Sequence, residues 1–305
     1  MTTTQTAVAR DLSLVAMATT LVLWASAFVG IRAIGETFSP GPLALGRLVV
    51  GAVCLGAVVA PRRQRLPQGR NLAYITAYGV LWFAGYNIAL NAGETYVDAG
   101  TAALLVQTGP ILIAVLAGLL LGEGFPRTLV IGTAVAVCGV ALITVGTKAS
   151  DAPDTSVVGV LLCALAAVLY AVGVLVQKPV LRSVDAIRAT WLGCTIGAIA
   201  CMPYAPRLVD EMAAASPASI AGLVYLGVFP TAIAFTTWAY ALARVSAGTA
   251  SATTYLVPAI AIGLSWLLLS ETPTAIGLTG GAVCLVGVAI TRLRRRPVQA
   301  RPADL

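Results

Sequence analysis

"AGTAALLVQTGPILIAVLAGLLLGE" occupies Ala99–Glu123, and "AGTASATTYLVPAIAIGLSWLLLSE" occupies Ala247–Glu271. Both open on Ala-Gly-Thr-Ala, carry a proline in the same column (Pro110 and Pro258), and close on a leucine run with a glutamate two residues on. The second stretch lies 148 positions after the first, and the match continues at that offset. Gly132, Ala134, Val135, Gly139, Val140 and Ala141 return as Gly280, Ala282, Val283, Gly287, Val288 and Ala289. Earlier in each half, Leu21–Arg32 echoes Ala166–Lys178, with Trp24 in the column of Tyr170. Apolar segments drawn from few letters match by chance, but a shared proline, glutamate and glycine set at one offset is hard to draw from composition. The chain therefore divides into two related halves, residues 12–147 and 157–292.

Composition sets the solvent. Of 305 residues 59% are hydrophobic and 10% charged, against about 25% charged in a soluble domain. Mean hydropathy is +0.92. The bilayer suits such a chain, and there only helices or closed barrels satisfy the backbone. The apolar runs are continuous and about 20 residues long, which is the length of a helical span and not of a barrel strand. They fall at 13–33, 42–60, 72–92, 99–121, 128–146, 157–177, 187–204, 219–241, 247–269 and 275–291. The expected fold is all-α, with ten transmembrane helices.

The loop charges alternate. Arg62, Arg63, Arg65, Arg70, Arg127, Lys178, Arg182, Arg188 and Arg244 fall in one set of loops, with Arg10 and the Arg-rich tail after Thr291. Glu36, Glu94, Asp98, Asp151, Asp154, Asp210, Glu211 and Glu271 fall in the other, with only Lys148 and Arg207 as clear loop cations there. Cytoplasmic loops collect Lys and Arg, so both termini are expected in the cytoplasm. Arg10, the apolar run and Ala25–Ala27 resemble a cleavable leader. The run continues through Phe28–Ile34, which suits an uncleaved first span. Five spans per half is an odd number, so the second half enters the membrane from the opposite side. Inverted repeats let two halves exchange non-equivalent conformations around a central site.

With Ala89–Glu123 and Tyr240–Glu271 quoted in full, "ALNAGETYVDAGTAALLVQTGPILIAVLAGLLLGE" and "YALARVSAGTASATTYLVPAIAIGLSWLLLSE", the chain resembles the EamA family of the drug/metabolite transporter superfamily. The resemblance covers nearly the whole chain. It implies ten helices in a bacterial inner membrane, no cofactor, and export of a small metabolite such as an amino acid. A drug-like or other organic solute, or a channel-like facilitator, stays open. The expected partners are the small-molecule substrate and the lipid bilayer, with no nucleic acid, and the chain is a monomer or weak homodimer.

Several in-span residues are candidates for the central site. Pro110 and Pro258 each free a carbonyl one turn back, at Val106 and Thr254, as a gating kink, as a carbonyl facing substrate, or as a bend for packing. Gln107 and Tyr255 share the column three residues before those prolines. Tyr78, Trp82 and Tyr86 recur every four residues along one helical stripe, with Asn87 and Asn91 beside it. Trp24, Tyr170 and Trp238 are further mid-span aromatics. An aromatic cavity with a few amides suits an amphipathic solute; ordinary packing explains each aromatic equally well. Arg47 is the one clear cation within a span. It holds a substrate carboxylate, or it snorkels outward or pairs with Glu36, Glu94 or Asp98. No carboxylate falls at mid-membrane, unlike the small multidrug pumps of the same superfamily, which weakens a cationic-drug assignment.

Other classes lack their residues. There are no histidines and no phosphate-cradling GxxxxGK[ST] loop, so an intramembrane enzyme or a primary pump has little to work with. Cys54, Cys138, Cys163, Cys194, Cys201 and Cys284 form no CxxC pair and are expected to pack as small hydrophobes. Gly118/Gly122, Gly193/Gly197 and Gly277/Gly281 permit close helix contact, within the bundle or across a dimer. The inverted repeat carries a direct test. A topology reporter fused at Glu123 is expected to read cytoplasmic and one at Glu271 external; both on one side would sink the inversion.

Overall fold

In the computed structural model, residues 3–62, 66–120, 127–148, 153–244, 250, 253–271 and 274–291 are described, and all regular structure among them is helical. Ten rods follow in order. Spans one and two are the unbroken helices Thr3–Ile34 and Pro40–Val59. Span three is Arg70–Tyr78, a π-helical stretch Gly79–Tyr86, and Asn87–Gly93. Span four breaks between Ala99–Val106 and Gly109–Leu120. Span five is Arg127–Lys148, span six Pro153–Val180 and span seven Ala186–Ala200. Span eight is Pro217–Leu226, a π-helical stretch Gly227–Ile233, and Ala234–Arg244. Span nine opens with a tight turn at Thr254–Leu256 before Val257–Leu269, and span ten is Ala275–Thr291.

Four stretches, Leu12–Ile34, Pro40–Val59, Val157–Val180 and Pro217–Arg244, are long and apolar enough to cross a bilayer unaided. Span seven needs a correction. The hydropathy pattern carries it to residue 204, but the helix ends at Ala200 and the chain bends by 54° into Met202–Ala214. Pro203 and Pro206 explain the bend, since neither can donate to a continuing helix. The new helix, Ala205–Ala214, is amphipathic and buries none of its residues. It lies beside the start of span two, where Glu211 accepts from the Ser39 backbone (3.0 Å) and hydroxyl (2.6 Å) and from Arg207 (2.9 Å).

The rods pack with the symmetry of the repeat. Span one lies on spans eight and nine, and span six on three and four. Span two lies on seven and eight, and span seven on two and three; five lies on ten. Moving every number by five maps this set of contacts onto itself. The match reaches individual atoms. The two π-helical stretches start at Gly79 and Gly227, separated by the repeat offset. A Cβ on Gly51 would sit 3.3 Å from the Gly227 carbonyl, and one on Gly197 3.1 Å from the Gly79 carbonyl. The Arg32 guanidinium donates to the Glu94 carbonyl at 3.2 Å, and Lys178 donates to the carbonyl of Leu242 in the same repeat column. Gly193 and Gly197 face Tyr78 and Phe83, and Gly281 faces Leu104. These glycines serve contacts inside the bundle; Gly118/Gly122 falls partly outside the described residues.

The close contacts at Gly51 and Gly197 test the packing. Gly197→Ala forces its methyl to within 2.8 Å of the Phe83 Cβ. Such overpacking costs roughly 1–3 kcal/mol, read as a lower midpoint of thermal unfolding in detergent. Gly263→Ala meets nothing within 4 Å. It should leave the midpoint unchanged or raise it, since Ala is the better helix former by about 1 kcal/mol. Equal midpoints for both variants would contradict the close approach of spans three and seven.

Candidate functional site

Pro230 stands within the π-helical stretch of span eight, beside the central site. It lacks an N–H, so the Leu226 carbonyl one turn back loses its helical donor. The chain widens into a π-helical turn there, and the Thr231 hydroxyl donates to Leu226 O at 2.7 Å. Arg47 Nε in turn donates to Thr231 Oγ1 at 3.0 Å. Arg47 is only 3% exposed, yet its two terminal amino groups meet no acceptor among the described residues. They belong to the wall of a central cavity, enclosed by spans one, two, three, four, six, eight and nine. The cavity holds about 520 Å³ of unfilled space counted out to its mouth, an upper bound that fits one small solute and no oligomer.

One wall is aromatic. Trp24 meets Phe235 at 5.4 Å, Tyr170 at 6.3 Å and Trp82 at 6.4 Å between ring centroids, mostly edge to face. Trp82 also meets Phe235 at 5.1 Å and Tyr170 at 5.5 Å. Edge-to-face pairs of this kind hold their rings in fixed orientations. Gly173 and Gly109 allow the wall to close, because a Cβ on either would lie 2.6 Å from Trp82 and 2.5 Å from Tyr170 respectively.

The opposite wall comes from the broken spans. Span four turns at Gln107–Thr108 and restarts so that Pro110 stands in the first turn of Gly109–Leu120. Span nine restarts at Val257 with Pro258 likewise in its first turn. Proline is tolerated there because first-turn N–H groups have no helical acceptor. Both prolines thus begin a helix after a break and do not kink a continuous one. Val106 and Thr254, the residues one turn before them, both line the cavity. Gln107 Nε2 donates to Thr254 Oγ1 at 3.2 Å and ties the two breaks together.

The cavity gathers Trp24, Arg47, Trp82, Tyr86, Gln107 and Tyr170. Other candidates lie elsewhere. Tyr78 sits two turns along span three, and its hydroxyl donates to the Ala189 carbonyl. Asn87 is fully buried and donates to Phe83 O at 2.6 Å on its own helix. Trp238 stands behind Trp24, 5.0 Å between centroids. The Tyr255 backbone belongs to the turn Thr254–Leu256, and its side chain lies outside the described residues. Arg47 makes no ion pair among the described residues, with Glu36, Glu94 or Asp98 or otherwise. Sequence reading named Thr254 only for its freed carbonyl, and missed Phe28 and Phe235 as lining residues. Phe235 and Thr254 share repeat columns with Asn87 and Val106, so reading columns for position would have raised them.

Comparisons with known proteins agree on the kind of molecule. The EamA-like transporter family matches twice, over residues 12–145 and 157–293. A protein of Streptantibioticus cattleyicolor named "Probable terminal-alkyne amino-acid exporter" is 36% identical over 92% of this chain and 93% of its own. The uncharacterized transporter YdfC of Bacillus subtilis is 38% identical over 89% of this chain and 88% of its own. A solved crystal structure shares the fold at 20% identity, with a TM-score of 0.62 over 92% of this chain and 96% of that one.

Proposed function

The chain belongs to the EamA-like transporter family and is a multi-pass membrane transporter of small molecules, and from that premise we propose that it exports an amino acid or closely related amphipathic metabolite by alternating access. The membrane is the bacterial inner membrane, with both termini in the cytoplasm. The observation that carries this reading is a cavity with one buried cation and an aromatic wall. The free amino groups of Arg47 suit a carboxylate, and the rings of Trp24, Trp82 and Phe235 suit an apolar side chain. Gln107 and Thr254, with the backbone of the two broken spans, supply polar contacts without fixed charge. A phosphorylated sugar would need more cations than the single arginine the cavity presents, because phosphate is costly to desolvate unless fully paired. A relative named as an amino-acid exporter supports the same class.

Efflux from proteoliposomes loaded with a mixed metabolite pool and followed by mass spectrometry identifies the solute. Arg47→Gln is expected to lower efflux efficiency for a carboxylate-bearing solute by about 10- to 100-fold, the loss of charge-assisted hydrogen bonds of roughly 1.5–3 kcal/mol. Gln107→Ala is expected to cost less, about 3- to 10-fold, since a neutral hydrogen bond is worth about 1 kcal/mol. Unchanged rate and apparent affinity in both variants, with the proteins folded, would place the site elsewhere.

A further inference from the structure

We propose that Glu94 binds the ammonium group of the solute whose carboxylate Arg47 holds, so that the transporter reads a zwitterion by its two charged ends. The proposal rests on the amino-acid reading above and adds a second recognition point to it.

The charge pattern of the sequence places Glu94 among the outer-loop acids. The structure buries it to 2% exposure, beside Arg47 at 3% and Arg188 at 7% as the buried charged residues among those described. Gly93 and Gly159 explain the burial. A Cβ on either would lie within 3.4 Å of the other's carbonyl, so spans three and six close around the turn that carries Glu94. Of the other carboxylates at this end, Glu36 and Asp210 are exposed and three have partners. Glu271 takes Arg32 at 3.1 Å, Glu211 takes Arg207 and Ser39, and Asp98 caps Thr101 at 2.9 Å. Both Glu94 oxygens are buried with no donor. Arg32 reaches only the Glu94 backbone carbonyl and gives its Nε to Glu271.

Glu94 is not itself a lining residue of the cavity; its carboxyl lies just beyond the lining and, like the terminal amino groups of Arg47, has no partner among the described residues. Tyr86 and Leu90 both line the cavity. Glu94 stands four residues beyond Leu90 on the same helical stripe, about 6 Å further out. Arg47 is the largest opposite charge that Glu94 feels, ahead of Arg32. Yet no ion pair joins the two. An α-amino acid carries its carboxylate and ammonium on one carbon, so it can bridge such a gap and satisfy both. A neutral hydroxyl or amide solute would leave both groups without a partner in a dry site.

Proton balance follows. Burial pushes the Glu94 carboxyl well above the ordinary carboxylate range, with Arg47 and then Arg32 pulling the other way. The remaining groups that bear on it are Asp98 at the start of span four and Glu271 after span nine, which push in the same direction as burial, with Tyr86 on its own span and Cys163 on span six. Over the pH range in which the empty site holds that carboxyl protonated, binding is coupled to the proton. A zwitterion replaces that proton with its ammonium, giving carboxylate, ammonium and one released proton. Apparent affinity for a zwitterion therefore rises with pH, by up to tenfold per unit while the free acid is protonated. A solute lacking the ammonium releases no proton.

The test uses the full chain in proteoliposomes, with phenylalanine and leucine as probes against 3-phenylpropionate and 4-methylpentanoate, at pH 6, 7 and 8. Wild type is expected to prefer the amino acids, with apparent affinity rising with pH for them alone. Glu94→Gln should reduce amino-acid efflux efficiency at least tenfold, flatten its pH profile and leave the two carboxylates within twofold. Glu94→Asp should restore part of the preference. Equal loss for both solute classes, or a pH-dependent preference that survives in Glu94→Gln, would overturn the role of Glu94. The wild-type pH comparison decides the matter without a variant if Glu94→Gln does not fold: equal pH slopes for the two classes overturn it too. If wild type moves carboxylates and amino acids alike, Glu94 is overturned and the Arg47 site stands; if it moves none of the probes, the amino-acid reading falls and this inference with it.

Discussion

The hydrogen bond from Thr231 to the Leu226 carbonyl is the point on which the centre of the molecule turns. A proline inside a membrane span strands a carbonyl where no water can reach it, and a bare carbonyl there costs several kcal/mol. The adjacent threonine answers it at 2.7 Å. Its hydroxyl then has lone pairs left, and one of them accepts from Arg47. A buried guanidinium needs acceptors as much as a buried carbonyl needs a donor. The same hydroxyl thus repairs the backbone and fixes the only cation of the cavity. It also spends only one of the five N–H groups of the arginine, which leaves the forked end directed to a ligand.

The repeat makes the asymmetry of the site visible. Ser39 and Asp185 both begin their helices as extended caps, with ψ of 157° and 154°. Counting on from them puts Arg47 in the column of Gly193, while the π-helical stretches put Thr231 in the column of Phe83. Both columns meet across the bundle. In one copy an arginine bonds a threonine; in the other a glycine accepts the face of a phenylalanine, whose ring carbons would lie 2.8 Å from an added Cβ. One architecture therefore carries two chemistries, a charged end and an aromatic wall. A symmetric pair of arginines would double the desolvation cost without a second carboxylate to answer it.

Much of this was legible in the sequence, and what was missed has a common cause. Apolar length, charge alternation and the duplicated segment give ten spans in two related halves, because each depends on residues near one another in the chain. The Trp24, Trp82 and Tyr170 wall was within reach for the same reason, as large mid-span aromatics. Glu94 was not, since a glutamate at the end of an apolar run looks like every other loop acid. Its burial depends on Gly93 meeting Gly159, a contact between residues 66 positions apart. Tyr78 was misplaced by depth and not by face: it shares the stripe of Trp82 and Tyr86 but lies far enough along the span to meet Ala189. The end of span seven was misread because hydropathy does not register that Pro203 and Pro206 stop a helix.

The same distinction between contacts within a half and contacts between halves recurs at Arg32. It makes one of each: to the Glu94 carbonyl in its own half and to the Glu271 carboxylate of the other. The pair with Glu271 is partly solvated, with its side chains 37% and 31% exposed, and such pairs contribute about 0–1 kcal/mol. A contact that weak adds little to joining the two halves, while the in-half bond keeps the arginine at this end. Lys178 repeats the in-half bond at the opposite end, on the Leu242 carbonyl. Each half thus ties a cation at the end of its first span to a carbonyl of its own third span, at repeat-equivalent positions.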